Sequence, residues 1–238
     1  MTTAPPCGST HCPVPEPTGA RLRRVRTVTW PAGMLLRRGH RRDHPDPTEL
    51  NPGVGDTRFA PLDDTRHVYV ARTTFAALLE SAFHDAAPPE PRLPQVVLSR
   101  WDEAEVRLLA GLRLVDLRDQ ALDRLGLTRE ELTATTAAHY PCTRRWARRL
   151  HDRHVGGHPT YGLVWHSRQL ELHARAAARR PALTELLDEH PAEVAVLWSP
   201  PAPEPLLAHT GGGLGPLDRG EGRAYVDDVA ALLQIVSQ

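Results

Sequence analysis

The sequence predicts a mixed α/β domain, α+β or α/β in its layering and rich in loops. Three observations carry that expectation. Short stretches with strand-like apolar alternation recur along the chain, among them HVYVA (67–71), LRLVDL (112–117), GLVWHS (162–167) and VAVLW (194–198). Segments with helical spacing of apolar residues alternate with them. The 23 prolines and 17 glycines are many and aromatic residues make up only 5% of the chain, which favours long connections over extended regular structure. A chain of 238 residues is long enough to bury a substantial core, and no internal repeat or second domain is evident.

In chain order, residues 1–20 (MTTAPPCGSTHCPVPEPTGA) are small, polar and broken by proline, so they are expected to form a disordered tail ahead of a domain over 21–238. VRTVTW (25–30) and MLL (34–36) read as short strands about Pro31, and 40–56 reads as loop. In HVYVA, Val68 and Val70 point one way and Tyr69 and Ala71 the other. Thr73 or Thr74 can cap a following helix in which Phe75, Leu78, Leu79 and Ala82 form the buried stripe. DAAPPEPRLP (85–94) ends that helix in a long loop. T-R-E-E at 128–131 has the form of a capping box ahead of a helix, and Thr143 is expected to cap a helix through TRRWARRLHDRH. A helical stretch is expected over about 171–189, TGGGLGPLDRG reads as a flexible connection, and AYVDDVAALLQIV closes the chain as a helix.

Composition excludes several chemistries. All 29 basic residues are arginine, so Schiff-base catalysis, a P-loop lysine and a kinase-type Lys–Glu pair are unavailable. Any anion held by a side chain must be held by Arg or protonated His, and Arg favours planar, bidentate recognition of carboxylate or phosphate. Zero net charge gives no global pull towards nucleic acid or anionic lipid. No apolar run approaches a membrane span and residues 1–20 lack the apolar region of a signal peptide, which makes a cytoplasmic protein the expectation.

Several local patterns have ordinary readings that outweigh functional ones. Three cysteines do not form a disulfide framework: Cys7 and Cys12 fall in the tail, and Cys142 is expected to be a lone buried or semi-buried thiol. CGSTHC is not read as a metal or redox motif. His151, His154 and His158 have spacings open to zinc but no recognised fourth ligand, so no metal site is expected. TGGGLG lacks the lysine ending of a P-loop and the flanking elements of a dinucleotide turn. The runs RLRRVR and TRRWARR read as solvated faces, with Trp146 turned inward. Glu80 lies about 150° round its helix from the apolar stripe, which by periodicity makes it a surface residue, and Ser167 would be an edge serine.

Order and context change that reading. AGMLLRRGHRRDHPDPTELNP, GDTRFAPL, HVYVARTTFAALLE and YGLVWHSRQ, in that order, resemble the RES domain, a family named for its Arg, Glu and Ser and found in bacterial toxins paired with Xre-type antitoxins. The resemblance runs from about residue 31 to about residue 235, as general shape alone beyond 170. Four short motifs in register carry it: G-D-x-R-F followed by Y-x-A, then A-L-x-E, and later G-L-x-W-x-S-R. The family arginine falls on Arg38, because Gly33, Leu36 and His40 then match G-x-x-L-x-R-x-H. Arg37 is the alternative register, since RRG stands where an aromatic–Arg–aliphatic stretch is usual. Arg58, Tyr69, Glu80 and Ser167 match directly.

The resemblance implies a compact ADP-ribosyltransferase-like fold with a central split sheet and flanking helices. It also implies a growth-inhibiting toxin of a type II toxin–antitoxin system that degrades NAD by hydrolysis or phosphorolysis. NAD would be a consumed substrate rather than a cofactor, with phosphate as co-substrate in the second case. In that scheme Glu80, Arg38 and Ser167 are catalytic, while Arg58, Tyr69 and Arg37 bind substrate. An Xre-type antitoxin is the implied partner, a homodimer is left open, and neither membrane nor direct nucleic-acid binding is expected. Two alternatives keep the same pocket: transfer of ADP-ribose to a macromolecule, and a catalytically silent nucleotide-binding module. A nucleic-acid binder resting on its arginines fits the neutral composition poorly.

Overall fold

The computed structural model describes residues 6–63, 65–84, 86, 92–152, 155–169, 192–199 and 205–237. In chain order its elements are α1 (Gly19–Leu22), β1 (Arg26–Trp30), β2 (Leu35–Arg41), β3 (His67–Ala71), α2 (Thr74–Leu79), β4 (Arg92–Leu93), α3 (Gln95–Leu98) and β5 (Trp101–Leu108). Then follow β6 (Leu112–Asp116), α4 (Asp119–Leu125), a 3-10 turn at Ala137–His139, α5 (Tyr140–His151), β7 (Gly162–His166) and β8 (Glu193–Trp198). The chain closes with β9 (Leu207–His209), β10 (Gly215–Pro216), the helix α6 (Gly220–Leu233) and β11 (Val236–Ser237).

The result is a mixed α/β fold on one large sheet, ordered β1-β6-β7-β8-β3-β2-β5, with β9 and β10 on the outer edge of β5. Every pairing in it is antiparallel except β6 with β7. The sheet is pinched at its centre. β3 pairs with β8 over five residues and β2 with β5 over seven, but β2 and β3 meet through the single pair Arg37–Ala71. Beyond that pair the two halves splay, and α2 packs across both of them.

Alternation along the strands assigns residues to the two faces as the sequence predicts. Val68 and Val70 join Trp30, Leu36, Leu114 and Leu197 in one core layer. Ala71, Leu163 and Trp165 join Trp146, Val196 and Trp198 in the opposite layer, and Tyr69 packs against its edge. α2 contributes Ala76 and Ala77 to that second layer, and its Phe75, Leu78 and Leu79 to a third core against α6. This helix is therefore buried all round and not only along the expected stripe. Thr73 caps it, accepting a hydrogen bond from the Ala76 N–H at 3.2 Å.

Several local expectations are corrected. The Thr128–Glu131 box forms reciprocally, with Thr128 N donating to Glu131 Oε2 at 2.7 Å and Glu131 N to Thr128 Oγ1 at 3.3 Å, yet it closes a set of turns and no helix follows. Thr143 is not a cap. Helix α5 begins at Tyr140 with a proline in its first turn, where the missing N–H costs nothing. TGGGLG is fastened to β5 rather than loose: a Cβ on Gly213 would lie 2.7 Å from the Glu103 carbonyl oxygen, and Gly213 has φ +119. Residues 6–18 do not stand apart as a tail. Val14 is buried, and the Trp146 indole N–H donates to the Pro15 carbonyl at 2.6 Å. The helix expected over 171–189 lies outside the described residues, as does His154. Among the described residues, no helix is long and apolar enough to cross a membrane.

Candidate active site

At the pinch in the sheet, the C-terminal end of α2, the outer part of β2 and the loop before β3 enclose a cavity of about 350 Å³. That falls within the usual range for a small-molecule site, about 300–1,000 Å³. Arg38, Arg58, Tyr69 and Glu80 all line it, with Tyr140 and Trp165 among the aromatic walls.

Glu80 is the C-cap residue of α2, with φ −90 and ψ 1. A carboxylate gains nothing from that position, because the end of a helix carries the negative pole of its dipole and unpaired carbonyls. The charge is held from another element. Ser167, the residue after β7, donates its hydroxyl to Glu80 Oε1 at 2.5 Å. Ser167 is only 1% exposed and lies on the same strand face as Leu163 and Trp165, as its spacing predicts. A hydrogen bond to an ionised acceptor is about twice as strong as a neutral one, so this contact fixes both side chains.

The two arginines are buried without a carboxylate partner. Arg38 is 5% exposed, and its Nη1 donates to the carbonyls of Pro47 (2.6 Å) and Glu49 (2.7 Å). Burial pushes its guanidinium down to about 10, against the weaker opposing fields of Asp46 and Glu49. Arg58 is 7% exposed and donates through Nη1 to the Thr135 carbonyl and hydroxyl, both at 2.8 Å. Its guanidinium lies over the Tyr140 ring, 5.2 Å from the centroid, and burial lowers its affinity for a proton. Elsewhere arginines pair with acids: Arg42 with Asp102 and Asp218, Arg118 with Asp116 and Glu193, Arg144 with Asp56. Among the described residues, neither Arg38 nor Arg58 has an acidic group within salt-bridge distance. Desolvated cations answered only by neutral carbonyls, a hydroxyl and a ring leave an electrostatic deficit that a bound anion would fill.

Arg37 does not join them. Alternation along β2 turns it to the other face, where it pairs with Glu105 at 3.0 Å and approaches the buried Glu103 at 3.7 Å. Of the two registers open from the sequence, it is Arg38 that lines the cavity; Arg37 as a substrate-binding residue is corrected. Tyr69 reaches the cavity, but its hydroxyl is already engaged, sharing a hydrogen bond with Thr57 Oγ1 at 2.8 Å and accepting from Phe59 N at 3.2 Å. Burial drives that phenol up to about 12, so it stays protonated. Its ring stands edge-on to Trp165, at 6.1 Å between centroids.

The sequence reading missed Tyr140, Thr135 and the carbonyls of Pro47 and Glu49. Nothing local marks them, because each acts on an arginine reached only through tertiary folding. It also separated the three cysteines, which the fold gathers: the Cys7, Cys12 and Cys142 sulfurs lie within 4.8 Å of one another. The basic run TRRWARR turns Trp146 fully inward, and Arg144, Arg145 and Arg148 pair with Asp56, Glu16 and Asp63, which removes a free basic patch. His151 contacts Asp152 at 3.3 Å and packs on Trp198.

A pinched mixed sheet thus brings a hydroxyl-held carboxylate and two buried arginines to one cavity. The family model described as "RES domain" matches residues 33–202, and the chain belongs to that family. Among solved structures it is similar to a chain of the crystal structure of the M. tuberculosis MbcT–MbcA toxin–antitoxin complex. The TM-score is 0.54 at 15% identity, over 90% of this chain and 97% of that one, a likeness of fold. No curated protein matches it in sequence.

Proposed function

We propose that the protein cleaves the bond between nicotinamide and ribose in NAD and acts as a growth-inhibiting toxin restrained by an antitoxin. The observation that carries this reading is the juxtaposition in one cavity of Arg38 and Arg58, buried without acidic partners, with Glu80, whose carboxylate Ser167 holds from behind the lining. NAD carries the features such a site would match: a diphosphate for the guanidiniums, and a ribosyl carbon whose leaving group departs without its positive charge.

In the proposed reaction the C1′–N bond breaks and its electron pair leaves with nicotinamide, which becomes neutral. Positive charge develops on C1′ and the ring oxygen, and the Glu80 carboxylate, fixed by Ser167, stabilises it. Stabilisation of developing charge by fixed groups is usually the largest single contribution to catalysis. Water or inorganic phosphate then forms the new C1′–O bond and gives up a proton. Arg38 and Arg58 hold the diphosphate. The Tyr69 ring, with its hydroxyl committed to Thr57 and Phe59, serves as a wall for the nicotinamide or ribose rather than as an acid. The similar MbcT–MbcA structure is a toxin–antitoxin complex, which supports a protein partner for this chain, here proposed to be an Xre-type antitoxin.

The test is incubation of purified protein with NAD, with and without phosphate, followed by product analysis. Free nicotinamide with ADP-ribose, or with a phosphorylated ADP-ribose only when phosphate is present, supports the reading. Labelled ADP-ribose carried on protein or nucleic acid would replace degradation by transfer. NAD that binds and persists would make the chain a silent nucleotide-binding module.

A further inference from the structure

A second site lies behind the Arg58 wall of the cavity. Cys7 and Cys12 come from the N-terminal segment and Cys142 from the first turn of α5, 130 residues away from Cys12, yet the three sulfurs lie within 4.8 Å of one another. Cys12 and Cys142 are 3.5 Å apart, Cys142 is buried, and all three are free thiols. His139, which precedes α5, sits beside Cys7, outside the set of three sulfurs that lie within 4.8 Å of one another. Its Nδ1 is buried and has no hydrogen-bond partner among the described residues.

Three thiols and an unsatisfied imidazole nitrogen make a poor core if left as they are, because thiols are weak hydrogen-bond donors and a buried ring nitrogen wants a partner. A disulfide would use two of the sulfurs and leave the third thiol and the histidine unaccounted for. A tetrahedral ion binds all three sulfurs and leaves a fourth position that the imidazole can fill by swinging in. With Zn–S bonds of about 2.3 Å, neighbouring sulfurs in a zinc site stand about 3.8 Å apart, close to the spacing found here. The ligands also fall in two short-spaced pairs, Cys7-x4-Cys12 and His139-x2-Cys142, one from each of the segments being joined.

We propose that Cys7, Cys12, Cys142 and His139 form a structural zinc site that fastens the N-terminal segment to the start of α5. Three thiols lose their protons on binding, and the neutral imidazole of His139 turns in from beside Cys7 to close the fourth position. Tyr140 and Thr143 flank the ligand Cys142. The Tyr140 ring carries the Arg58 guanidinium, and the Thr143 hydroxyl donates to the Arg58 carbonyl. The ion would thereby brace one side of the cavity from outside it. Cys7 and Cys12 precede the matched RES region, residues 33–202, and His139 and Cys142 lie within it, so the N-terminal segment supplies half of the site's ligands.

The experiment is metal analysis of protein purified without chelator, followed by replacement of the ion with cobalt(II). The expected result is one zinc per chain, released when a mercurial titrates the thiols. The cobalt form should show thiolate-to-cobalt charge transfer and the intense visible bands of a tetrahedral ion. Cys7→Ser, at the half-buried edge of the cluster, should lower zinc affinity at least about tenfold, and His139→Ala should shift the visible bands while three thiolates still bind. The wild-type measurements need no variant to fold. Stripped protein that takes up no zinc while three free thiols titrate would overturn the proposal. So would a Cys12–Cys142 disulfide in protein prepared under reducing conditions and then exposed to zinc and air.

Discussion

Replacing Ser167 by alanine tests whether the Glu80 carboxylate is held for a purpose. The substitution removes the hydroxyl that donates to Glu80 Oε1 at 2.5 Å from a residue 1% exposed, and it adds no bulk. Losing a hydrogen bond to a charged acceptor costs about 1.5–3 kcal/mol. A domain of this size shifts in Tm by about 2–4 °C per kcal/mol, so thermal unfolding should move down by roughly 3–12 °C. If the same bond steadies Glu80 against the developing ribosyl charge, kcat for NAD cleavage should fall about 10- to 150-fold, while NAD affinity changes little. Thermal melts and steady-state nicotinamide release on one preparation read both quantities. A variant whose Tm falls as expected but whose kcat stays within about twofold of wild type would refute the reasoning. Ser167 would then be a packing residue with no hold on the chemistry.

The two arginines of β2 give a sharp contrast. Arg38→Ala should weaken NAD binding by about tenfold or more, whereas Arg37→Ala, on the face occupied by Glu103 and Glu105, should leave it within about twofold; calorimetric titration reads both. A pH dependence follows from His67, which is 1% exposed and whose imidazole is lowered from 6.5 to about 4 by burial. Between those values the unfolded chain binds the extra proton and the folded one does not, so stability falls as pH drops through that window, and this group has no effect well above it. The loss amounts to about 2 kcal/mol between roughly pH 7 and pH 5, and urea unfolding of His67→Gln beside wild type should show the dependence reduced by that amount.

Much of this fold is readable in the sequence wherever a strand buries one face or both with apolar residues. HVYVA and GLVWHS put Tyr69 and Ser167 on the sides of the sheet where the structure has them, and Thr73 caps α2 as its position suggests. The long strand β5 was not legible, because Asp102, Glu103, Glu105 and Arg107 interrupt its apolar pattern. Glu103 is nonetheless buried, its carboxylate satisfied by Leu214 N at 2.7 Å and Thr74 Oγ1 at 3.3 Å, partners that only tertiary structure supplies. The Thr128–Glu131 box forms without a helix because a reciprocal cap satisfies backbone N–H groups in a turn as well as in a helix. For the site, periodicity says only that Glu80 is off the apolar stripe. That it turns inward to Ser167 rather than outward to water depends on a contact between residues 87 positions apart. The same distance problem hid Tyr140 beneath Arg58 and Cys142 beside Cys12.

The central claim is that a fixed negative charge at position 80 drives the cleavage. Its most direct test is the turnover of NAD by Glu80→Gln, an isosteric change that keeps an oxygen for the Ser167 hydroxyl. NAD affinity should be retained within a few-fold while kcat falls by about a hundredfold or more, as loss of one electrostatic contributor to a transition state predicts. Turnover by Glu80→Gln at the wild-type rate would contradict the account outright.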